Sequence, residues 1–391
     1  MKKLFFPSLL FLLIFTRLSG QNFSIGHRTI STTDAARNRT VTMEVYYPAD
    51  IAGDLVPFTQ QPVTAPILVF GHGFVMSWDA YSNLWNTLVP HGYLMAFVTT
   101  ETGFSPNHLE FGKDIAFTVG HMQSLSADAS DLFYQRLDSA AAVMGHSMGG
   151  GSAFLSVAFN PSIRAIVTLA AAETSTSAIA AATGIAIPAL VIAGANDCVT
   201  PPAQHQIPMY NSLASSCKSY VSIVGASHCQ MAESNFFCNF GESTCTPPPS
   251  ISRQTQHQVI DRFLSPWLDS QLRNDCVAGA DFDTRITTDA TVSYQRTCQL
   301  CASTGIAPTT DESGLRVFLE SDMLRLSWKS STPQRISVYD MSGKQIHDVA
   351  VTGDINELSI QTSGWVAGMY QVRLFSTSGT LVSRRVFIQG R

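Results

Sequence analysis

One stretch, Gly145-His146-Ser147-Met148-Gly149-Gly150, constrains this chain more than any other. Ala140–Met144 before it is a short apolar segment of the kind that forms a buried strand, and Gly150–Phe159 after it reads as a helix. A serine at a sharp strand-to-helix turn sits in strained backbone with its hydroxyl exposed. Glycines flank it because a Cβ there would collide with neighbouring backbone. The spelling alone carries little weight, so the reading depends on whether the partners of a nucleophile are present.

The surrounding pattern is that of a mostly parallel sheet. Val41–Tyr47, Pro66–Phe70, Leu94–Val98, Ala141–Gly145, Ile163–Ala170, Ala189–Gly194 and Tyr220–Val224 read as strands. Helical patterns fill most gaps, Leu109–Met122 and Val259–Leu268 among them. Continuous apolar strands alternating with helices predict an α/β sheet covered on both faces, with its site at the carboxyl ends of the strands. This unit spans residues 21–275. Residues 276–313, cysteine-containing and weakly patterned, read as a linker. Residues 314–391 then change character. Leu324–Trp328, Ile336–Tyr339, Leu358–Ile360, Met369–Phe375 and Leu381–Ile388 are short strands punctuated by glycine, which predicts a small all-β sandwich.

A serine hydroxyl needs an imidazole to take its proton and an acid to orient that imidazole. In a parallel-sheet hydrolase the chain order is serine, acid, histidine. Between Ala171 and His228 the only carboxylates are Glu173 and Asp197. Asp197 follows the apolar run Ala189–Gly194 and so falls in a loop at a strand's carboxyl end; Glu173 is the reserve. Of the histidines after Ser147, His228 sits directly after the last strong strand and is the expected base. His205, His257 and His347 lie in less suitable places. The developing oxyanion needs two donors. The Met148 N–H, just after the nucleophile, supplies one, and the Phe74 N–H in Gly71-His72-Gly73-Phe74 is assigned as the other. His72 is expected to brace this loop.

The start of the chain, Met1-Lys2-Lys3 followed by apolar Leu4–Phe15 and Ser19-Gly20, reads as a signal peptide over residues 1–20. Its removal takes Lys2, Lys3 and Arg17 and no acid, moving the net charge from −5 to −8. No later stretch is long and apolar enough for a membrane span. With 14% charged residues and no basic block, nucleic acid is not an expected partner. All eight cysteines lie between Cys198 and Cys301, and export makes structural disulfides the expected state over a metal or redox site at Cys298-Gln299-Leu300-Cys301. Spacing does not determine the pairing. Cys198 directly follows the proposed acid and Cys229 the proposed base, so a Cys198–Cys229 bridge is expected if those loops meet.

Taken together, the strand ending in Tyr46-Tyr47-Pro48, the Gly71–Phe74 loop, Phe111-Gly112-Lys113-Asp114-Ile115-Ala116, the serine turn, Asn196-Asp197 and Ser227-His228 make a specific set. The chain resembles α/β-hydrolases of the dienelactone hydrolase, chlorophyllase and platelet-activating-factor acetylhydrolase group, which merges with cutinase-like polyester hydrolases. The resemblance covers about residues 25–272. It implies carboxylic-ester hydrolysis through an acyl-enzyme, with no metal or organic cofactor. A lipid deacylase or an amidase on the same triad, or a non-catalytic surface binder, are the alternatives. Polyester hydrolases usually carry a tryptophan where this chain reads Ala170-Ala171-Ala172-Glu173, a departure that weakens an aromatic-polyester reading. The C-terminal segment, with Ile336-Ser337-Val338-Tyr339-Asp340 and Ala367-Gly368-Met369-Tyr370, is similar to the type IX secretion sorting domain. That likeness implies the type IX machinery as a partner and a secreted or cell-surface destination.

Overall fold

The computed structural model describes residues 22–61 and 63–301 and, further on, 316–320, 323–328, 335–340, 344–351, 355–366, 368–376 and 379–388. The expected signal peptide lies outside the described residues. The chain divides into two compact units at residue 302.

The first unit is built on a ten-stranded sheet. In chain order its elements are β1 (Ser24–Asp34), β2 (Arg39–Ala49), β3 (Gly53–Asp54), β4 (Ala65–Gly71), α1 (Ser82–Leu88), β5 (Leu94–Val98), α2 (His108–Ala127) and β6 (Leu137–His146). There follow α3 (Met148–Ser156), β7 (Ile163–Leu169), α4 (Ala178–Ala182), β8 (Ala189–Gly194), α5 (Gln206–Ser212), β9 (Lys218–Ile223), α6 (Phe236–Glu242), α7 (Arg253–Arg273), α8 (Cys276–Thr288) and β10 (Val292–Arg296). The strand order is β10-β9-β8-β7-β6-β4-β5-β2-β1-β3. β5, β4, β6, β7, β8 and β9 run parallel, whereas β1, β2 and β10 make the antiparallel pairings. This is the expected α/β-hydrolase arrangement.

Alternation along each strand divides the core in two. Ile67 and Val69 of β4 face one layer, and Leu68 and Phe70 face the other. α2 covers the first layer through Phe111, Ile115, Val119 and Met122, at helical spacing, and Asn107 caps it by accepting from the Leu109 and Glu110 N–H groups. α7 covers the second layer through Val259, Ile260, Phe263, Leu264, Trp267 and Leu268, with Ser252 as its cap. Asp114 of α2, fully buried, takes a bidentate guanidinium from Arg39 of β2 and a hydroxyl from Thr100 after β5. One carboxylate thus ties α2 to the ends of two strands.

The linker expectation is corrected for residues 276–301. Asp275 caps α8, Phe282 and Ile286 of α8 enter the second core layer, and β10 extends the sheet antiparallel to β9. Disulfides Cys217–Cys298 and Cys276–Cys301 fasten the segment. β10 is an edge strand with most of its side chains outward, so it lacks the apolar run that marks a buried strand. The remaining linker residues lie outside the described residues. β1 also escaped the sequence reading, because among its eleven residues only Gly26 and Ile30 are buried.

The second unit is the expected β-sandwich. One sheet holds β11 (Arg316–Glu320), β12 (Met323–Ser327) and β15 (Glu357–Gln361). The other holds β14 (Gln345–Ala350), β13 (Arg335–Asp340), β16 (Gly368–Ser376) and β17 (Gly379–Ile388). Leu324, Leu326 and Ile360 of the first sheet share one apolar core with Ile336, Val338 and Val372 of the second. Among the described residues of the whole chain, no helix is long and apolar enough to cross a membrane.

Among the described residues of the first unit, the half-buried Asp261 carboxylate of α7 forms no ion pair. It accepts from the Thr87 hydroxyl at 3.1 Å, and burial raises its pKa to about 6 against an ordinary 3.8, opposed by that hydrogen bond and by the charge of His91. A carboxyl raised in the folded state binds its proton more tightly there, so the penalty that Asp261 places on stability is relieved as pH falls from 7 towards 4. Asp261→Asn should stabilise the protein by about 1–3 kcal/mol at pH 8, an advantage that disappears below about pH 4. Urea unfolding at the two pH values checks this, and an equal effect at both would contradict it.

Candidate active site

The parallel strands deliver their carboxyl ends to one edge of the sheet, and the expected residues gather there. Ser147 joins β6 to α3 with φ 53° and ψ −121°, the strained turn anticipated for a nucleophile. The turn is held by its own backbone: the Ser147 N–H donates to Leu169 O at 3.0 Å, and Ser147 O accepts from Ala172 N at 2.8 Å. A Cβ on Gly149 would overlap the Gly71 carbonyl, and one on Gly145 would overlap Gly149. The glycines are therefore what lets α3 begin against the end of β4.

Asp197 follows β8 and His228 follows β9. The His228 Nδ1 lies 2.8 Å from Asp197 Oδ2, with both side chains buried. Asp197 Oδ1 also accepts from the Val199 and Thr200 amides at 2.9 and 2.8 Å. The Thr200 hydroxyl, 2.9 Å from Asp197 Oδ2 and 3.1 Å from Ala170 O, receives the Gln206 side-chain amide at 3.1 Å. These bonds fix the carboxylate as an acceptor aimed at the ring. Gln256 of α7 pairs with both backbone groups of Ser227, at 2.9 and 3.0 Å, and so holds the loop just before His228. Ser147 and His228 line the same cavity. No hydrogen bond joins the Ser147 hydroxyl to the ring, as is common before a substrate tightens such contacts.

A second network joins the histidine loop to the Gly71–Phe74 loop. The Gly73 N–H donates to the Tyr81 hydroxyl at 2.7 Å, which lies 3.0 Å from His146 Nδ1. His146 Nε2 lies 3.2 Å from the His228 carbonyl. Complete burial, aided by the proximity of the His228 ring, drives the His146 pKa well down, so the His146 ring is neutral. With its hydrogen on Nε2, it donates to His228 O and accepts from Tyr81, and every polar atom finds a partner. His72 braces the same loop as expected, its ring nitrogens 2.8 Å from Gly73 O and Thr100 O. The Phe74 and Met148 N–H groups have no protein acceptor among the described residues; Phe74 lines the cavity together with Ser147, and Met148 directly follows Ser147 at the start of α3.

The cavity has a volume of about 510 Å3 and almost wholly apolar walls. Phe74, Met76 and Val199 surround Ser147, and Phe104 and three phenylalanines of α6 form the outer wall.

Residues 18–243, more than half of the chain, match the PET hydrolase-like family. The chain belongs to this family. Residues 320–389 match the secretion system C-terminal sorting domain. Cutinase 1 of Thermobifida cellulosilytica is 26% identical over 178 residues, 45% of this chain and 65% of that protein. A cutinase of Thermobifida fusca is 26% identical over 178 residues, 45% of this chain and 56% of that protein. The bis(hydroxyethyl) terephthalate hydrolase of Streptomyces coelicolor is 25% identical over 192 residues, 49% of this chain and 56% of that protein. The chain thus matches less than two thirds of the length of these relatives.

Among PET hydrolase-like features, the acid is the sequence choice that geometry separates most sharply from its rival. Glu173 turns away and accepts from the Ile179 N–H at the start of α4. His205 accepts from the Glu173 amide and feels the charges of Asp197 and His228 without hydrogen-bonding to either, and His257 lies against Ala232 O. The Cys198–Cys229 expectation is wrong. Cys198 pairs with Cys245 and Cys229 with Cys238, so the acid loop and the histidine loop are each tied to the α6 segment and not to one another. The chain makes an excursion of some twenty residues between His228 and α7, and this brings the later cysteines across both loops. Ala170 and Ala171, at the place of the absent tryptophan, are fully buried.

Several residues escaped the sequence reading. Thr200 and Tyr81 carry no motif of their own. The α6 phenylalanines had a signal in the spacing Phe236-Phe237-x-x-Phe240, which on a helix puts three aromatic rings on adjoining faces. Tyr81→Phe should leave the Gly73 N–H and His146 Nδ1 unpaired in a dry interior and cost about 1–3 kcal/mol. Chemical denaturation measures this, and an unchanged midpoint would mean that the two groups find other partners.

Proposed function

We propose that this chain is a secreted serine hydrolase of carboxylic esters, of the polyester-hydrolysing kind. The observation that carries the reading is the buried His228–Asp197 pair beside a serine held at φ 53° on a strand-to-helix turn. The cutinases and the bis(hydroxyethyl) terephthalate hydrolase among its relatives support the ester class.

In this reading the Ser147 oxygen attacks the ester carbonyl carbon while its proton passes to His228 Nε2. Asp197 keeps Nδ1 protonated and steadies the imidazolium, with Thr200 and two backbone amides holding the carboxylate in place. The carbonyl oxygen, now carrying the negative charge, takes the Phe74 and Met148 N–H groups, which no protein acceptor occupies. Collapse of the tetrahedral species breaks the bond to the alcohol oxygen, and His228 returns the proton to that alcohol. Water then repeats the sequence on the acyl-serine, releasing the acid. Tyr81 and His146 link the oxyanion loop to the His228 backbone through 2.7, 3.0 and 3.2 Å contacts, so donors and base keep a fixed separation.

The full chain should hydrolyse p-nitrophenyl esters, most rapidly those with short acyl groups, and release acid from a polyester film. Ser147→Ala should reduce both by several orders of magnitude with an unchanged melting temperature. Retained turnover in that variant, or cleavage of amides with intact esters, would overturn the reading.

The sorting-domain match of residues 320–389 supports, for the C-terminal unit, a role in export through the type IX machinery. It makes no contribution to catalysis in this reading. Truncation after Thr310 should leave kcat/KM on a soluble ester within about twofold, and a loss of tenfold or more would place part of the site beyond that residue.

A further inference from the structure

The α6 excursion exposes an aromatic surface that the catalytic steps do not use. Phe236 and Phe240 are 75% and 73% exposed, Phe104 on the facing loop is 74% exposed, and Phe237 is 48% exposed. Their rings are mutual neighbours. Phe104 meets Phe237 edge-on at 6.1 Å, and Phe236 lies 5.5 Å from Phe237 and 6.4 Å from Phe240. Phe74, which carries a proposed oxyanion amide, extends the cluster to Ser147 through its 6.3 Å contact with Phe104. Contiguous exposed aromatic patches are rare on soluble proteins and mark a contact surface.

The helix that carries them is not free to fold the rings away. Cys238 within α6 is bonded to Cys229, next to His228, and Cys245 just beyond it is bonded to Cys198, next to Asp197. The Glu242 carboxylate accepts the Cys229 N–H at 3.0 Å, and Arg253 reaches both Cys229 O and Asn239. The exposed rings therefore stand at a fixed place relative to both members of the His–Asp pair.

Charge indicates what the surface meets. Between Cys229 and Ser252 there is no lysine or arginine, and the two acids are Glu233 and Glu242. An anionic lipid bilayer is attracted by free basic residues and repelled by acids; the flanking Arg253 is instead engaged with Cys229 O, Ala232 O and Asn239 Oδ1. A neutral, condensed, apolar phase fits both the rings and the charge.

We propose that Phe104, Phe236, Phe237 and Phe240 form a disulfide-anchored docking surface for the face of a water-insoluble polyester, continuous with the cleft at Ser147. The surface sets the orientation in which a chain segment of the solid enters the cleft. What it delivers there rests on the esterase reading, whereas adsorption itself requires no turnover.

The test measures depletion of full-length Ser147→Ala protein by particles of amorphous poly(ethylene terephthalate), with and without the added pair Phe236→Ser and Phe240→Ser. The inactive protein should adsorb, and the added pair should weaken apparent affinity at least about tenfold, with an unchanged melting temperature excluding a folding failure. Equal adsorption by the two proteins would overturn the docking surface. So would preferential binding to phosphatidylserine vesicles, or a dimer in solution that the phenylalanine substitutions dissolve. Adsorption that depends on these rings, in a chain whose native form cleaves no ester, would instead sink the esterase reading and leave the surface standing.

Discussion

The close approach of the β6–α3 turn to the end of β4 is the constraint on which this structure depends. Gly149 lies against the Gly71 carbonyl with no room for a side chain, so α3 starts at the sheet edge and not beyond it. That approach forces Ser147 into φ 53°, and the resulting strain is held by bonds to Leu169 and Ala172. It also sets the distance between the first turn of α3 and the loop after β4, the two sources of the proposed oxyanion donors. A bulkier residue at either glycine would move the donors apart before it reached the serine.

Around this turn, polar atoms are used to set positions and apolar atoms to set access. Asp114 fastens Thr100, Thr100 O meets His72, and His72 braces Gly73. Gly73 reaches Tyr81 and His146, and His146 ends on the His228 backbone. A buried chain of this kind is rigid because leaving any member unpaired is costly in a dry interior. The cavity side, by contrast, presents rings and aliphatic groups to water.

Much of this was legible because parallel-sheet proteins obey a positional rule. Mostly apolar runs of five to eight residues marked β4 to β9, and the residues just past those runs had to meet at one edge. Ser147, Asp197 and His228 are selected in that way, and the same rule ranks Asp197 over Glu173. The rule has no purchase on elements that bury little. β1 hides two of its eleven residues, and β10 shows most of its side chains to water, so neither carried an apolar run. The disulfides were illegible for a different reason. Cysteine pairing follows the path of the chain in space, and Cys229 turned towards α6 rather than towards Cys198, its neighbour in function.

The α6 phenylalanines reverse the usual logic of reading a helix. Sequence patterns find helices by assuming that apolar faces are buried, which is why the segment between His228 and α7 resisted interpretation. Here the rings face outward, and the helix is held by covalent bonds and by Arg253 and Glu242 where a buried apolar face would normally do so. A seven-residue helix with its rings in water has little intrinsic stability. The two disulfides are thus what allows an apolar surface to be displayed without a core beneath it, and they place it beside the serine.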